Sequence, residues 1–448
     1  MQSPNPPGAW RSRSTFVFAL AGAAVGLGNL WRFAYLLGSH GGTPFLAAYL
    51  AGLLLVAVPV VIAEAAIGSL GRAAPPMAWA AAARRARLGA GWGAWGLLAA
   101  LTALLVLGYG AVVGGWSLTY AWHLARGTFA AASPRDVSAF LDALLATPWR
   151  MLAWQTLFLA AAVAVSAAGV RRGLGTLAWV LVPSLMALFW LLIDFALAHG
   201  DLAAAQAFLF STQPLDFRDD ALLVAFGQAL FTLGVGLAVG ISYGSYAPQR
   251  LPLGRSVLAV AVFDSAAALA AGIAVFPVVF ANNIAPDMGP GLLFVSLPYA
   301  FGNLQEGDAY GMLFFLLVAL AALGTAVALL EPAVATLCQR LRWRRWQGAL
   351  AAGGAVWLLA LAVAVSLAPG SALAGLLPLL EQATTGWLIP LGALVAATFV
   401  GWCMDPALLR RELYRESDHF FRAWLLQLRF VAPLGLLVVW FWLAVSGP

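Results

Sequence analysis

Long apolar runs follow one another along nearly the whole chain, and no stretch of comparable polarity separates them. Their approximate limits are 14–37, 43–70, 92–125, 150–168, 174–198, 221–247, 256–281, 309–339, 347–368, 376–403 and 422–445. A helix needs roughly 20 apolar residues to cross a bilayer, so these eleven runs read as eleven spans. Runs three and eight exceed that length and are expected to tilt or to project into water. Composition agrees: 63% of the 448 residues are hydrophobic and 9% charged, with a mean hydropathy of +0.90. A soluble domain carries about a quarter charged residues. The longest polar interruptions, 127–149, 199–219 and 282–308, are connectors too short to fold as domains. The expected fold class is an all-α polytopic membrane protein forming a single membrane domain over 1–448.

The net charge of +6 is made entirely from arginine, with 24 Arg and no Lys. Its placement describes topology. Eighteen of the 24 fall in six groups: Arg11 and Arg13; Arg72, Arg84, Arg85 and Arg87; Arg171 and Arg172; Arg250 and Arg255; Arg340, Arg342, Arg344 and Arg345; Arg410, Arg411, Arg415 and Arg422. These groups occupy alternate loops. The positive-inside rule then puts the N-terminus in the cytoplasm and, with eleven spans, the C-terminus outside. Nucleic acid is not implied. Cys338 and Cys403 both lie near cytoplasmic span ends, so a disulfide is not expected, and the four histidines lack metal-ligand spacing. Trp149, Trp154, Trp343 and Trp346 sit at span ends, where an interfacial belt accounts for them.

Two spans read as broken. AGAAVGLGN (21–29) lies in the first and FTLGVGLAVG (231–240) in the sixth. Each sets several glycines in mid-membrane, where a glycine weakens a helix by about 1 kcal/mol relative to alanine. Close helix packing would account for one such stretch. A pair spaced five spans apart fits an inverted repeat of five plus five helices with a binding site at the breaks, because unwound backbone at that depth must line a cavity. The repeats would cover 14–198 and 221–403, leaving 422–445 as an additional helix.

Each intramembrane charge costs several kcal/mol unless it is used. Asn29 and Arg32 close the first break, while Glu64, Asp264, Glu331 and Glu381 lie in spans two, seven, eight and ten. Glu64 and Glu331 stand beside Gly68 and Pro332 and could satisfy freed backbone donors. Asp264, in AVFDSAAALA, has no cation among its neighbours. Unwound carbonyls with Asn, Thr and Asp oxygens suit a hard monovalent cation, and helix N-termini suit a carboxylate. No Walker loop, GxSxG, HExxH or Cys/His cluster is present, so neither direct ATP use nor enzyme chemistry is implied.

With these residues in view, the run WRSRSTFVFALAGAAVGLGNLWRFAYLLGSHGGTPFLAAYL from Trp10 resembles the opening of the neurotransmitter:sodium symporter family. FGQALFTLGVG followed by ISYGSY resembles that family's sixth helix, and GGW at 114–116, Gly173 with Pro183, and TAVALLEP at 325–332 are partial matches. Eleven helices is a pattern of bacterial members. The resemblance implies broken helices 1 and 6 and two sodium sites. The first would use Ala24, Asn29, Thr232 and Asp264. The second would use Gly22, Val25, Ala321 and Thr325, with Gly324 where the family usually has a second hydroxyl.

The resemblance also implies a substrate site. A carboxylate would meet the N–H groups of Leu27 and Gly28, and an ammonium the carbonyls of Ala24, Phe231 and Thr232. Val106, Phe231, Gly234, Leu237, Thr325 and Leu329 would line the side-chain pocket. Gly26 stands where monoamine carriers have Asp, which points to amino acids. The family's helix-three Tyr falls on Gly110, with Tyr109 one residue earlier: either a bulge restores the hydroxyl or it is lost and the pocket is larger. Arg32 and Glu381 would form an outer gate over Phe231. Pro7 and Gln339 stand where the family has its inner ion pair, while Trp10 and Arg13 remain. Ala268 at the chloride position, with Tyr49 and Gln228 kept, gives no support for chloride.

The expected function is sodium-coupled import of amino acids, bulky hydrophobic or aromatic ones by the pocket argument, through alternating access in a bacterial inner membrane. A proton-coupled carrier of the same fold, using Asp264 or Glu331, and a transport-inactive amino-acid receptor stay open as alternatives. The sequence is silent on oligomeric state.

Overall fold

The computed structural model describes residues 9–212, 220–248, 251–283 and 291–446. These form an all-helical bundle, with no strand among the described residues. The spans are α1 (Arg13–Ala24), α2 (Gly28–Ser39), α3 (Thr43–Gly71), α4 (Ala90–Leu124), α5 (Pro148–Ala167), α6 (Val170–His199), α7 (Ala221–Thr232), α8 (Val239–Ser245), α9 (Leu253–Ala281), α10 (Gly307–Leu341), α11 (Arg345–Ser366), α12 (Leu376–Cys403) and α13 (Asp418–Trp442).

Nine of the described helices are long and apolar enough to cross a membrane, and α1 with α2 make a tenth span bent by 63°. The count falls short of eleven at the expected sixth run, which is split into α7 and α8, neither long enough alone. The connectors are more ordered than their polarity suggests. Short helices at Pro134–Leu145, Leu202–Leu209 and Leu292–Gly302 fold within them. At Pro134–Leu145 the start is fixed by Ser133 and Asp136, each capping the other's backbone.

The most enclosed span is α10 and the least is α13. Small residues set the spacing between spans. A side chain at Gly115 of α4 would come within 2.7 Å of the Gln155 backbone nitrogen in α5, so only glycine permits that approach. Tyr120 stacks on Phe129 at 5.7 Å and on Phe315 at 5.2 Å, pinning the segment after α4 against α10. The Arg-rich segments gather at one end of the bundle, here the basic end, and the α1/α2 and α7/α8 breaks lie between the two ends.

Candidate functional site

The first helix stops at Val25, whose ψ of 99° leaves helical space, and restarts with a wide π turn over Gly28–Arg32. The sixth run opens over 233–238. Gly234 and Gly236 take φ of +64° and +80°, and Ala238 is held at +57°. That conformation costs an L-residue roughly 1–2 kcal/mol, so neighbouring contacts must hold it. One of them is Glu64, whose Oε1 accepts the Gly236 N–H at 2.7 Å. Only glycine fits at 236, since a Cβ there would lie 2.4 Å from the Ile389 carbonyl oxygen. Glu64 therefore does what its sequence context allowed: it satisfies a freed backbone donor.

Between the breaks, Asn29, Thr232 and Asp264 come together from three elements, all buried. Asn29 Nδ2 donates to Asp264 Oδ1 at 2.7 Å, and Thr232 Oγ1 donates to Asp264 Oδ2 at 2.6 Å. The Tyr49 hydroxyl donates to the same Oδ2 at 3.4 Å. No Arg or His lies within ion-pair distance of Asp264 among the described residues. A fully enclosed carboxylate without a cation is unfavourable by several kcal/mol. Asn29 turns its Nδ2 to the carboxylate and its Oδ1 to the Gly26 N–H at 3.4 Å, so the side-chain oxygens of Asn29, Thr232 and Asp264 are the hard donors here that fit a sodium ion.

Of the residues of the expected second site, Thr325 and Ala321 on α10 lie against α1 close to Gly22, and the Thr325 hydroxyl is turned to Ala23. Thr325 Oγ1 donates to the Ala23 carbonyl at 3.1 Å and lies 3.4 Å from that of Ala321. A Cβ at Gly324 would sit 2.2 Å from the Gly22 carbonyl oxygen and 2.5 Å from Leu181 Cδ2. The absent hydroxyl at 324 is thus matched by a close approach of α10 to α1 that leaves no room for one.

A cavity of about 260 Å³ opens against these groups. Ala24, Leu27, Gly28, Val106, Tyr109, Phe231, Thr232, Gly234, Leu237, Thr325 and Leu329 all line it. Sequence reasoning missed Phe158 on α5 and Thr385 and Ile389 on α12, which complete the wall. Arg32 is the one charged side chain lining it among the described residues. In α4, residues Gly93–Leu124 are an uninterrupted α-helix, so no bulge rotates Tyr109 inward. Its hydroxyl lies 3.3 Å from Thr384 Oγ1 on α12. A Cβ at Gly110 would meet nothing within 4 Å, so the tyrosine position of the resembled family is open space.

Away from the basic end, the Arg32 guanidinium lies 5.9 Å from the centre of the Phe231 ring. Arg32 and Glu381 are within electrostatic reach, but among the described residues no nitrogen–oxygen distance between them falls within 4.0 Å. A direct ion pair there is not formed in this structure.

At the basic end Pro7 lies outside the described residues, and Gln339 Oε1 accepts the Ala74 N–H at 2.7 Å. A different pair holds this end. Glu331, fully buried, takes Arg345 Nη1 on Oε1 at 2.8 Å, with Arg345 Nη2 on Oε2. The Tyr246 hydroxyl donates to Oε1 at 2.5 Å. Glu331 therefore serves an arginine and a tyrosine instead of backbone donors. Trp10 is buried alongside: its indole donates to the Tyr243 carbonyl at 3.0 Å and its backbone N–H to that of Tyr246 at 2.8 Å.

Known proteins resemble this chain in sequence and fold. The Sodium:neurotransmitter symporter family matches over residues 7–132 and 142–446. An uncharacterized sodium-dependent transporter of Bacillus subtilis, YhdH, is 30% identical over 444 residues, covering 98% of each chain. One from Haemophilus influenzae is 28% identical over 445 residues, covering 96% of each. The crystal structure of MhsT in complex with L-phenylalanine superposes with a TM-score of 0.87 at 34% identity, covering 97% of this chain and 99% of that one. Broken helices, oxygen-lined centre and near-complete coverage agree: the chain belongs to the sodium:neurotransmitter symporter family, and is a sodium-dependent membrane transporter and not an enzyme.

Proposed function

We propose that this transporter imports bulky apolar or aromatic L-amino acids, drawing on the sodium gradient and alternating access between the repeats 14–198 and 221–403, with 422–445 outside them. The basic end faces the cytoplasm of a bacterial cell and is called inner below; the opposite end is outer. The observation that carries the substrate class is the largely apolar cavity beside Asp264, open at Gly110. The start of α2 leaves the N–H groups of Leu27 and Gly28 without intrahelical partners at the cavity wall, as an amino-acid carboxylate requires. L-phenylalanine in the structurally similar MhsT supports the same class.

Sodium at Asn29, Thr232 and Asp264 would supply the cation that the carboxylate lacks, and a second ion would use Gly22, Val25, Ala321 and Thr325. Binding of ion and substrate would then strengthen each other reciprocally. The Asp264 carboxylate also accepts from the Tyr49 hydroxyl, and its negative charge there, once sodium is bound, would support transport without chloride. Glu331 is a poor proton carrier while both its oxygens hold Arg345.

The test is uptake of labelled amino acids into proteoliposomes. Phenylalanine and tryptophan should accumulate on a sodium gradient, undiminished when gluconate replaces chloride, and Asp264→Ala should remove the sodium dependence. Better competition by glycine or alanine would overturn the enlarged pocket. Uptake driven by a proton gradient without sodium would favour the proton-coupled reading, and binding without uptake the receptor reading.

A further inference from the structure

We propose that Tyr109 is a latch of the outer closure, and that its hydroxyl bond to Thr384 is a direct hydrogen-bonded cross-link between α4 and α12 over the central cavity. The inference rests on that cavity being the substrate site. Three observations converge on it.

The first is direction. Residues 109 and 110 differ by about 100° around a helix axis, and α4 runs through both without interruption. The side chain at 109 therefore leaves the helix toward α12, while position 110 faces the empty part of the cavity.

The second is the proton inventory. Thr384 is fully buried, and its hydroxyl donates to the Leu380 carbonyl at 2.7 Å within its own helix. Its one proton is used there. With that proton used, the contact at 3.3 Å runs from the Tyr109 hydroxyl to Thr384 Oγ1, with the Thr385 hydroxyl also in reach, so the phenol is engaged by α12 and turned from a substrate carboxylate. Thr384 lies in the π-helical stretch Gln382–Leu388, a widened turn of the kind that concentrates at functional sites.

The third is the company the phenol keeps. Arg32, Glu381 and Tyr109 interact electrostatically with one another, yet the two charged groups stay apart. Glu381 is on α12 itself, and of the other two it is Tyr109 that is hydrogen-bonded to that helix among the described residues. A single residue step thus moves a tyrosine hydroxyl from the substrate to the closure.

The experiment reads closure without requiring a known substrate. Val106→Cys, on the cavity wall, is introduced with Cys338→Ser and Cys403→Ser. A membrane-impermeant thiol reagent is applied in sodium to the outside of sealed, oriented vesicles. Losing one hydrogen bond should raise the modification rate about fivefold in Tyr109→Phe and equally in Thr384→Val. The double variant should be no faster than either single one, and Thr384→Ser should stay slow. The proposal fails if Tyr109→Phe leaves the rate unchanged, if Thr384→Val behaves like the parent while Tyr109→Phe does not, or if the two effects multiply. Failure of any amino acid to protect the introduced thiol in the parent would instead count against the substrate reading, and the rate comparison would still stand.

Discussion

The two ends of the cavity are closed by different physics. At the inner end a buried carboxylate, Glu331, is held by both nitrogens of Arg345 and by Tyr246, and Trp10 is bonded to two carbonyls of α8 and its C-terminal cap. At the outer end the closure is a guanidinium over a ring at 5.9 Å and a hydroxyl contact of 3.3 Å. Breaking a buried pair by removing one partner costs about 3–5 kcal/mol, whereas a cation–π contact is worth about 0.5–2 kcal/mol. The difference bears on which way this conformer opens: with the basic end cytoplasmic, as proposed, outward opening breaks less, so an outward-open state would lie closer in free energy than an inward-open one. Sodium, by neutralising Asp264, would add to the closed state without touching either end.

The largest expected effect falls on the inner end. Arg345→Ala leaves Glu331 buried and unpaired, so thermal unfolding in detergent should report a loss of about 3–5 kcal/mol, and concentrative uptake should disappear. Glu331→Gln keeps the shape and removes the charge, and should retain more of the stability while still leaking. The comparison breaks if Arg345→Ala costs less than 1 kcal/mol, because the inner end would then be no tighter than the outer.

Next is Arg32→Ala. It removes the cation over Phe231 and the attraction to Glu381 but leaves no carboxylate fully enclosed, since Glu381 keeps partial exposure. Stability should fall by about 0.5–2 kcal/mol, with uptake reduced far more than substrate binding. A stability loss equal to that of Arg345→Ala would show the outer pair to be a structural fastener and would erase the asymmetry.

How much of this was legible in the sequence differs between the same two ends. The breaks at AGAAVGLGN and FTLGVGLAVG, the span limits and the meeting of Asn29, Thr232 and Asp264 follow from glycine placement, hydropathy and the resemblance. All three depend on local composition or on a matching motif. The Glu331–Arg345 pair was not legible, because Arg345 sits in a cluster that reads as a topology signal. Only the turn between α10 and α11 brings it back against α10. The direction of Tyr109 needed proof that α4 is continuous. The sequence reads 221–247 as one run broken at its glycines, and the structure splits it there into α7 and α8, each too short to cross alone. The ordered connectors were missed for a related reason: their helices are fixed by caps and docking, which hydropathy does not sense.

The smallest expected effect tests the empty side of the outer half, and two glycines of one helix supply it. Gly108 and Gly110 both lie in α4 with helical geometry, so each would gain up to about 1 kcal/mol from replacement by alanine if nothing stood in the way. At 108 a Cβ would come within 2.3 Å of Leu359 Cδ2 on α11. That side chain must move, and overpacking of this kind costs about 1–3 kcal/mol. At 110 a Cβ would meet nothing within 4 Å. Gly110→Ala should therefore leave the unfolding temperature unchanged or raise it slightly, and Gly108→Ala should lower it. The sharper arm is selectivity. A methyl at 110 takes space from the largest substrates alone, so competition by tryptophan should weaken a few-fold while that by leucine-sized amino acids holds. Gly110→Tyr should carry the same shift further, toward small substrates. If Gly110→Ala destabilises the protein as much as Gly108→Ala, the space beside Tyr109 is not open, and the outer half is packed as tightly as the inner.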